Sequence, residues 1–135
     1  MKISTRGRYG LKAMLDIAIN SKDNTYVSLK SVAKRTGISE RYLEQLMALL
    51  KKADLVKSIR GAQGGYSLSK EPEHISVGDI LIVVEGPFEL VECLLGNEAC
   101  GNGDCNECIT KDVWAKLSDS VSETANNISL AELIN

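Results

Sequence analysis

Apolar residues at three- and four-residue spacing dominate this chain, so the pattern predicts a mainly helical protein. Between Ser4 and Asn20, Leu11, Met14, Leu15, Ala18 and Ile19 form one such stripe. Gly7 and Gly10 weaken the start of that helix, and their missing side chains let another backbone or a phosphate come close. Ser21–Tyr26 is polar and turn-like. Ser28 suits the N-cap of a short helix over Leu29–Arg35, with Val32 and Ala33 turned inward. Thr36-Gly37 breaks it, glycine being suited to a left-handed C-terminal position. Ser39 then caps a second helix over Glu40–Ala53, with Leu43, Leu46, Met47 and Leu50 as its buried stripe. Two short helices joined by a glycine-containing turn make a helix-turn-helix pattern.

The period changes after that point. Leu55–Arg60 is strand-like, Tyr66–Ser69 is its partner, and Gly61–Gly65 lies between them as a glycine-rich hairpin tip. A hairpin directly after a helix-turn-helix reads as a wing. Ser76 with Asp79 caps a helix through Val84, which Gly86-Pro87 ends. Thr110–Asn126 is a longer amphipathic helix through Val113, Trp114, Leu117 and Val121, and Ser129 caps a last turn over Leu130–Ile134. The expected organisation is a winged helix-turn-helix domain at 1–84, a cysteine-rich loop at 85–109, and a dimerisation helix with a C-terminal turn at 110–135. The fold class is mainly α with a small β-hairpin wing.

Composition sharpens this picture only slightly. With 44% hydrophobic but only 4% aromatic residues, the core must be built from Leu, Ile, Val and Ala. The 135 residues suffice for one compact domain with an appended element. No run approaches the roughly 18 apolar residues that cross a bilayer, and the first apolar stretch contains Lys12 and Asp16. A cytoplasmic protein without a membrane partner is expected.

Charge changes the picture more. The net charge of −2 hides 14 basic and 5 acidic residues in 1–70, against 2 basic and 13 acidic in 71–135. A basic N-terminal half suits a polyanion. Placed on the helix-turn-helix pattern, Ser39, Glu40, Arg41, Tyr42, Glu44 and Gln45 begin the second helix, the part that enters a major groove. Arg41 matches guanine or a phosphate, Gln45 matches adenine, and Glu44 can accept from a cytosine amino group. Lys2, Arg6, Arg8, Lys34 and Arg35 suit phosphates, and Ser28 joins them at a helix start. Arg60, beside Gly61 and Gly64 at the wing tip, suits a minor groove. Double-stranded DNA is therefore the expected partner.

The candidate chemistry lies in Cys93, Cys100, Cys105 and Cys108, spaced C-x6-C-x4-C-x2-C. Four thiolates within 16 residues are a complete ligand set for zinc or an iron–sulfur cluster. Structural zinc usually pairs two C-x2-C knuckles, and only one such pair is present, so the spacing leans toward a cluster without excluding zinc. Disulfides do not suit a reducing compartment. His74, the single histidine, follows Glu71-Pro72-Glu73 in a loop and reads as a surface residue. No nucleophile–base constellation is visible, and Gly61–Gly65 lacks the Lys-Ser/Thr of a phosphate loop. Neither an enzyme nor a small-molecule substrate is expected.

Met1–Gly10, Tyr42-Leu-Glu-Gln45, Leu55–Gly61, Gly64-Gly-Tyr66, the cysteine loop and Asn126–Leu133 together resemble the IscR-type iron–sulfur regulators almost end to end. The resemblance implies a homodimeric winged-helix repressor or activator on palindromic operators, holding a [2Fe-2S] cluster and controlling cluster-assembly genes. By motif match, Cys93, Cys100 and Cys105 would be its cysteine ligands, Glu44 a promoter-discriminating residue and Arg60 the wing arginine. Best-known members carry histidine where Cys108 stands. An all-cysteine site would lower the reduction potential and suits [2Fe-2S], which is favoured, or [4Fe-4S]. Some relatives recruit a carboxylate near position 8, but Arg8 cannot ligate, which favours Cys108 as the fourth ligand. Two other functions fit the same scaffold: a nitric-oxide or redox-sensing repressor, and a zinc-stabilised or cluster-free regulator that contacts a metabolic enzyme.

Overall fold

The computed structural model describes residues 2–91 and 109–134. Helix α1 (Thr5–Asn20) starts at Ser4, whose side chain accepts from the Gly7 amide, and stops where the Ser21 hydroxyl donates to the Ile17 carbonyl at 2.6 Å. Its core face is rotated from the expected stripe. Gly7, Gly10, Ala13, Met14, Ile17 and Ala18 are buried, Leu11 and Leu15 are half-buried, and Ile19 is 51% exposed. The cause is helix α4 (Val77–Val84), which lies against the glycines. A Cβ at Gly10 would stand 3.0 Å from Val84 Cγ2. These glycines thus admit a packed helix, not a phosphate.

Helices α2 (Leu29–Thr36) and α3 (Glu40–Lys52) form the helix-turn-helix. Gly37 supplies the left-handed turn residue at φ +78°, and buried Ile38 follows it into the core. All four residues expected on the inner face of α3, Leu43, Leu46, Met47 and Leu50, are buried to within 1%. Ser28 and Ser39 are N-caps as expected, accepting from the Ser31 and Tyr42 amides at 3.1 Å each.

The wing consists of β1 (Val56–Ile59) and β2 (Gly65–Leu68), antiparallel, with Val56 opposite Leu68 and Ile59 opposite Gly65. Val27 adds a third backbone pairing through two bonds with Tyr66, at 2.9 and 2.7 Å. This pairing ties the tip end of β2 to the entry of α2.

Pro72–His74, expected as loop, forms a single 3₁₀ turn, with proline opening it as its fixed φ allows. Helix α4 then begins at a complete capping box: Ser76 Oγ accepts from the Asp79 amide at 2.9 Å, and the Asp79 carboxylate accepts from the Ser76 amide at 3.0 Å. Helix α5 (Lys111–Asn126) leads to α6 (Leu130–Ile134). The Val77 amide donates to Ile128 and the Leu130 amide donates to Ile75, so the chain's last turn is laced to the start of α4. Leu130 is fully buried in the same cluster as Met14 and Ile80. No described helix is long and apolar enough to cross a membrane.

The stripe expected on α5 behaves differently from the others. Ser118 and Ala125 are its buried residues, while Val113, Trp114 and Leu117 are 49%, 37% and 45% exposed. Val121, the fourth residue of that stripe, is half-buried, so the N-terminal part of the apolar face of α5 faces outward in the single chain.

Candidate nucleic-acid interface

Helix α3 is fixed from inside by its four buried residues, so its outer face is set by the 3.6-residue period. Glu40, Arg41, Glu44 and Gln45 are exposed on that face in the first turns. Arg41 and Gln45 are four residues apart and therefore neighbours on one line of the helix. Tyr42 is half-buried, and its ring meets Tyr9 of α1 edge to face, with centroids 5.5 Å apart and planes at 83°. That contact braces the first turn of α3 against α1 and is worth on the order of 1 kcal/mol beyond burial.

Lys2, Arg6 and Arg8 are all exposed at the start of α1, and Arg8 Nη2 donates to Thr5 Oγ1 at 3.3 Å. Lys34 is exposed at the end of α2. Arg35 is not a free phosphate ligand as expected. Its Nε and Nη2 donate to Asp16 Oδ1 and Oδ2 at 2.9 Å each, a bidentate pair between α1 and α2. The Asp16 hydrogen bond holds the Arg35 pKa above its ordinary value, with the carboxylate's charge adding to it and partial burial opposing it.

Arg60 is exposed where β1 ends, and Gly61 turns the tip at φ +114°. The Gly64 amide donates to the Gly61 carbonyl at 3.0 Å, closing the turn, and a Cβ at Gly64 would overlap the Ile59 carbonyl oxygen. Both glycines therefore shape the tip that carries Arg60.

Tyr9, Asp16 and Glu85 complete this surface, and no local pattern marks them. Each acts through a partner distant in sequence: Tyr42, Arg35 and Ser4 respectively. The expected metal ligands Cys93, Cys100, Cys105 and Cys108 lie outside the described residues. Among the described residues, no group of three His, Cys, Asp or Glu side chains is placed to hold a metal ion. His74 is exposed, as expected for a surface residue.

A family model described as "Rrf2: Iron-dependent Transcriptional regulator" matches residues 3–135. The HTH-type transcriptional regulator IscR of Yersinia enterocolitica is 43% identical over all of this chain and 80% of its own length. The solved structure of T. potens IscR superposes with a TM-score of 0.79 at 46% identity, covering 99% of this chain and 86% of that one. CymR, the global cysteine regulator of B. subtilis, superposes with a TM-score of 0.80 at 41% identity, covering 99% of this chain and 96% of its own. The helix-turn-helix, the wing and these likenesses across the given chain agree: the chain belongs to the Rrf2 family and is an IscR-like, DNA-binding winged-helix transcription regulator, not an enzyme.

Proposed function

We propose that this regulator works as a homodimer whose grip on DNA depends on an iron–sulfur cluster held by its cysteine loop. The observation that carries the reading is a junction in the chain. Helix α5, whose apolar face is uncovered from Val113 on, begins three residues after Cys108, so ligand segment and pairing helix are adjacent in the chain. The labour divides along the chain: 1–84 reads DNA, 85–109 holds the cofactor, and 110–135 pairs two copies.

The donor set fits the group. Four thiolates are a full set for a [2Fe-2S] or [4Fe-4S] centre, and Cys93, Cys100 and Cys105, with Cys108 as fourth ligand, would hold it. When bound, such a centre supplies a redox- and supply-sensitive charge; [2Fe-2S] is favoured by the family likeness. This chain's own residues do the reading. Ser39, Glu40, Arg41, Tyr42, Glu44 and Gln45 enter the major groove of one half-site. Lys2, Arg6, Arg8 and Ser28 line the backbone, and Arg60, carried by Gly61 and Gly64, enters the minor groove. Pairing through Val113, Trp114 and Leu117 sets the spacing of two α3 helices to about 34 Å, one turn of a palindrome. Cofactor binding by the cysteine segment that precedes α5 in sequence would then favour the DNA-competent dimer by differential affinity.

The test is an ultraviolet–visible spectrum of anaerobically purified protein, with iron and acid-labile sulfide assays. Visible charge-transfer bands with iron and sulfide, abolished in Cys93→Ala, are expected. A colourless protein that resists reconstitution and carries stoichiometric zinc removes the cluster reading and leaves the DNA-binding one intact.

A further inference from the structure

Glu85 closes α4, and its carboxylate reaches the start of α1, 81 positions earlier in the chain. Oε1 accepts from the Ser4 amide at 2.5 Å and also from the Ser4 hydroxyl. The direction of the second bond matters, because a hydroxyl has one proton and two lone pairs. With its proton on Glu85, Ser4 Oγ turns a lone pair toward the Gly7 amide, from which it accepts at 3.4 Å. Glu85 therefore orients the helix cap as well as anchoring the residue that bears it. The first turn of α1 contains no acidic residue, so this carboxylate also supplies the negative charge that the helix N-terminus favours. Gly7 leaves the room for it: a Cβ there would stand 2.6 Å from Glu85 Oε1.

The turn so held carries Arg6 and Arg8, with Lys2 just before it, all exposed. A carboxylate beside a phosphate-binding arm opposes a polyanion by charge alone. Its hydrogen bonds work the other way, by holding the arm in one conformation before DNA arrives. We propose that Glu85 is a positioning residue for DNA binding: by clamping Ser4 it fixes the first turn of α1 so that Lys2, Arg6 and Arg8 reach the phosphates together. The inference rests on the DNA-contact reading of those three cations.

The test is fluorescence anisotropy across a salt series, on a duplex of about 40 base pairs, long enough for two half-sites one turn apart. Wild-type chain, Glu85→Gln and Glu85→Ala are compared. The glutamine oxygen still accepts from Ser4 but carries no charge; alanine does neither. Glu85→Ala is expected to bind about three- to tenfold more weakly, with a log–log salt slope smaller by about 1 for each phosphate that the arm no longer neutralises. Glu85→Gln is expected to keep the wild-type slope and to bind at least as tightly. The inference is overturned if Glu85→Ala keeps the wild-type slope, or if both variants tighten equally, the mark of a bystander charge. If Glu85→Ala does not fold by circular dichroism, Gly7→Ala crowds the same carboxylate from the other side, and an unchanged slope there overturns the inference equally. Wild-type protein without salt-dependent duplex binding fails the DNA-contact reading itself, needs no variant to detect, and takes this inference with it.

Discussion

Arg35 grips Asp16 with two parallel hydrogen bonds of 2.9 Å, and so joins the end of α2 to the middle of α1. The Asp16 side chain is 11% exposed and that of Arg35 is 38% exposed, so solvent screens one end of the pair. Asp16→Ala is expected to lower stability by about 1 kcal/mol in urea denaturation. Arg35→Lys is expected to recover little of the stability that Arg35→Ala removes, because lysine has no planar fork. The pH sign follows from the raised Arg35 pKa. A base raised in the folded state contributes below its unfolded value and loses that contribution as pH rises through the folded one. Both values are strongly alkaline, so the guanidinium adds no pH dependence to stability near neutrality. A stability slope near pH 7 that vanished in Arg35→Ala would contradict this.

The wing depends on a missing side chain. Gly65 sits at φ +152°, and a Cβ there would overlap the Val27 carbonyl oxygen. That oxygen accepts from Tyr66, one of the two bonds tying the wing to α2. Gly65→Ala is therefore expected to part the Val27–Tyr66 pairing and to cost about 2 kcal/mol or more, a range reached by substitutions at special backbone positions. Thermal melting gives the cost. DNA affinity measured well below the melting point is expected to fall as well, because Gly65 and Tyr66 adjoin the tip that carries Arg60.

These two sites show what is legible in the chain. Ser28, Ser39 and Ser76 announce three helices, since a cap acts within three residues and leaves a local signature. The inner face of α3 is legible for the same reason, as its period is set by the helix alone. The face of α1 is not. Leu11, Leu15 and Ile19 carry the hydrophobicity, but Gly7 and Gly10 admit α4, and what lies closest to a neighbour decides the orientation. In sequence Arg35 is indistinguishable in role from its neighbour Lys34, but Asp16, 19 positions earlier, holds it. Among the residues proposed to meet DNA, Arg41, Gln45 and Arg60 are legible as exposed positions because their element ends are local. Tyr9 and Glu85 are not, because both act across the fold.

The outward face of α5 sets an expectation for assembly. Val113, Trp114 and Leu117 leave large apolar surfaces in contact with water in a single protomer, at a cost of roughly 25 cal/mol for each Å² that pairing would remove. Leu117→Glu is expected to weaken self-association by about a hundredfold or more, as hot-spot substitutions do. Sedimentation velocity over a dilution series measures it. Trp114 is the chain's single tryptophan, so its emission reports the same face directly. It is expected to shift to longer wavelength on dilution of the wild type, and to start there in Leu117→Glu. A wild-type chain that stays monomeric at high concentration, with unshifted emission, would remove the two-half-site geometry.

The outer face of α3 separates affinity from specificity. Arg41 and Gln45 are neighbours on one exposed line of the helix, and Glu44 flanks them. A carboxylate facing a phosphate backbone is repelled at every sequence, whereas a carboxylate facing a cytosine amino group is favoured at one base pair. Glu44→Ala is therefore expected to tighten binding to unrelated duplexes while losing about 1–3 kcal/mol of discrimination at one position of a selected site. Arg41→Ala is expected to weaken binding, and the salt series tells how. A drop confined to one base-pair position means a guanine contact, while a uniform drop with a salt slope smaller by about 1 means a phosphate contact. If Glu44→Ala binds selected and unrelated duplexes with wild-type affinities, this face of α3 does not enter the groove, and the wing with the α1 arm must supply the reading.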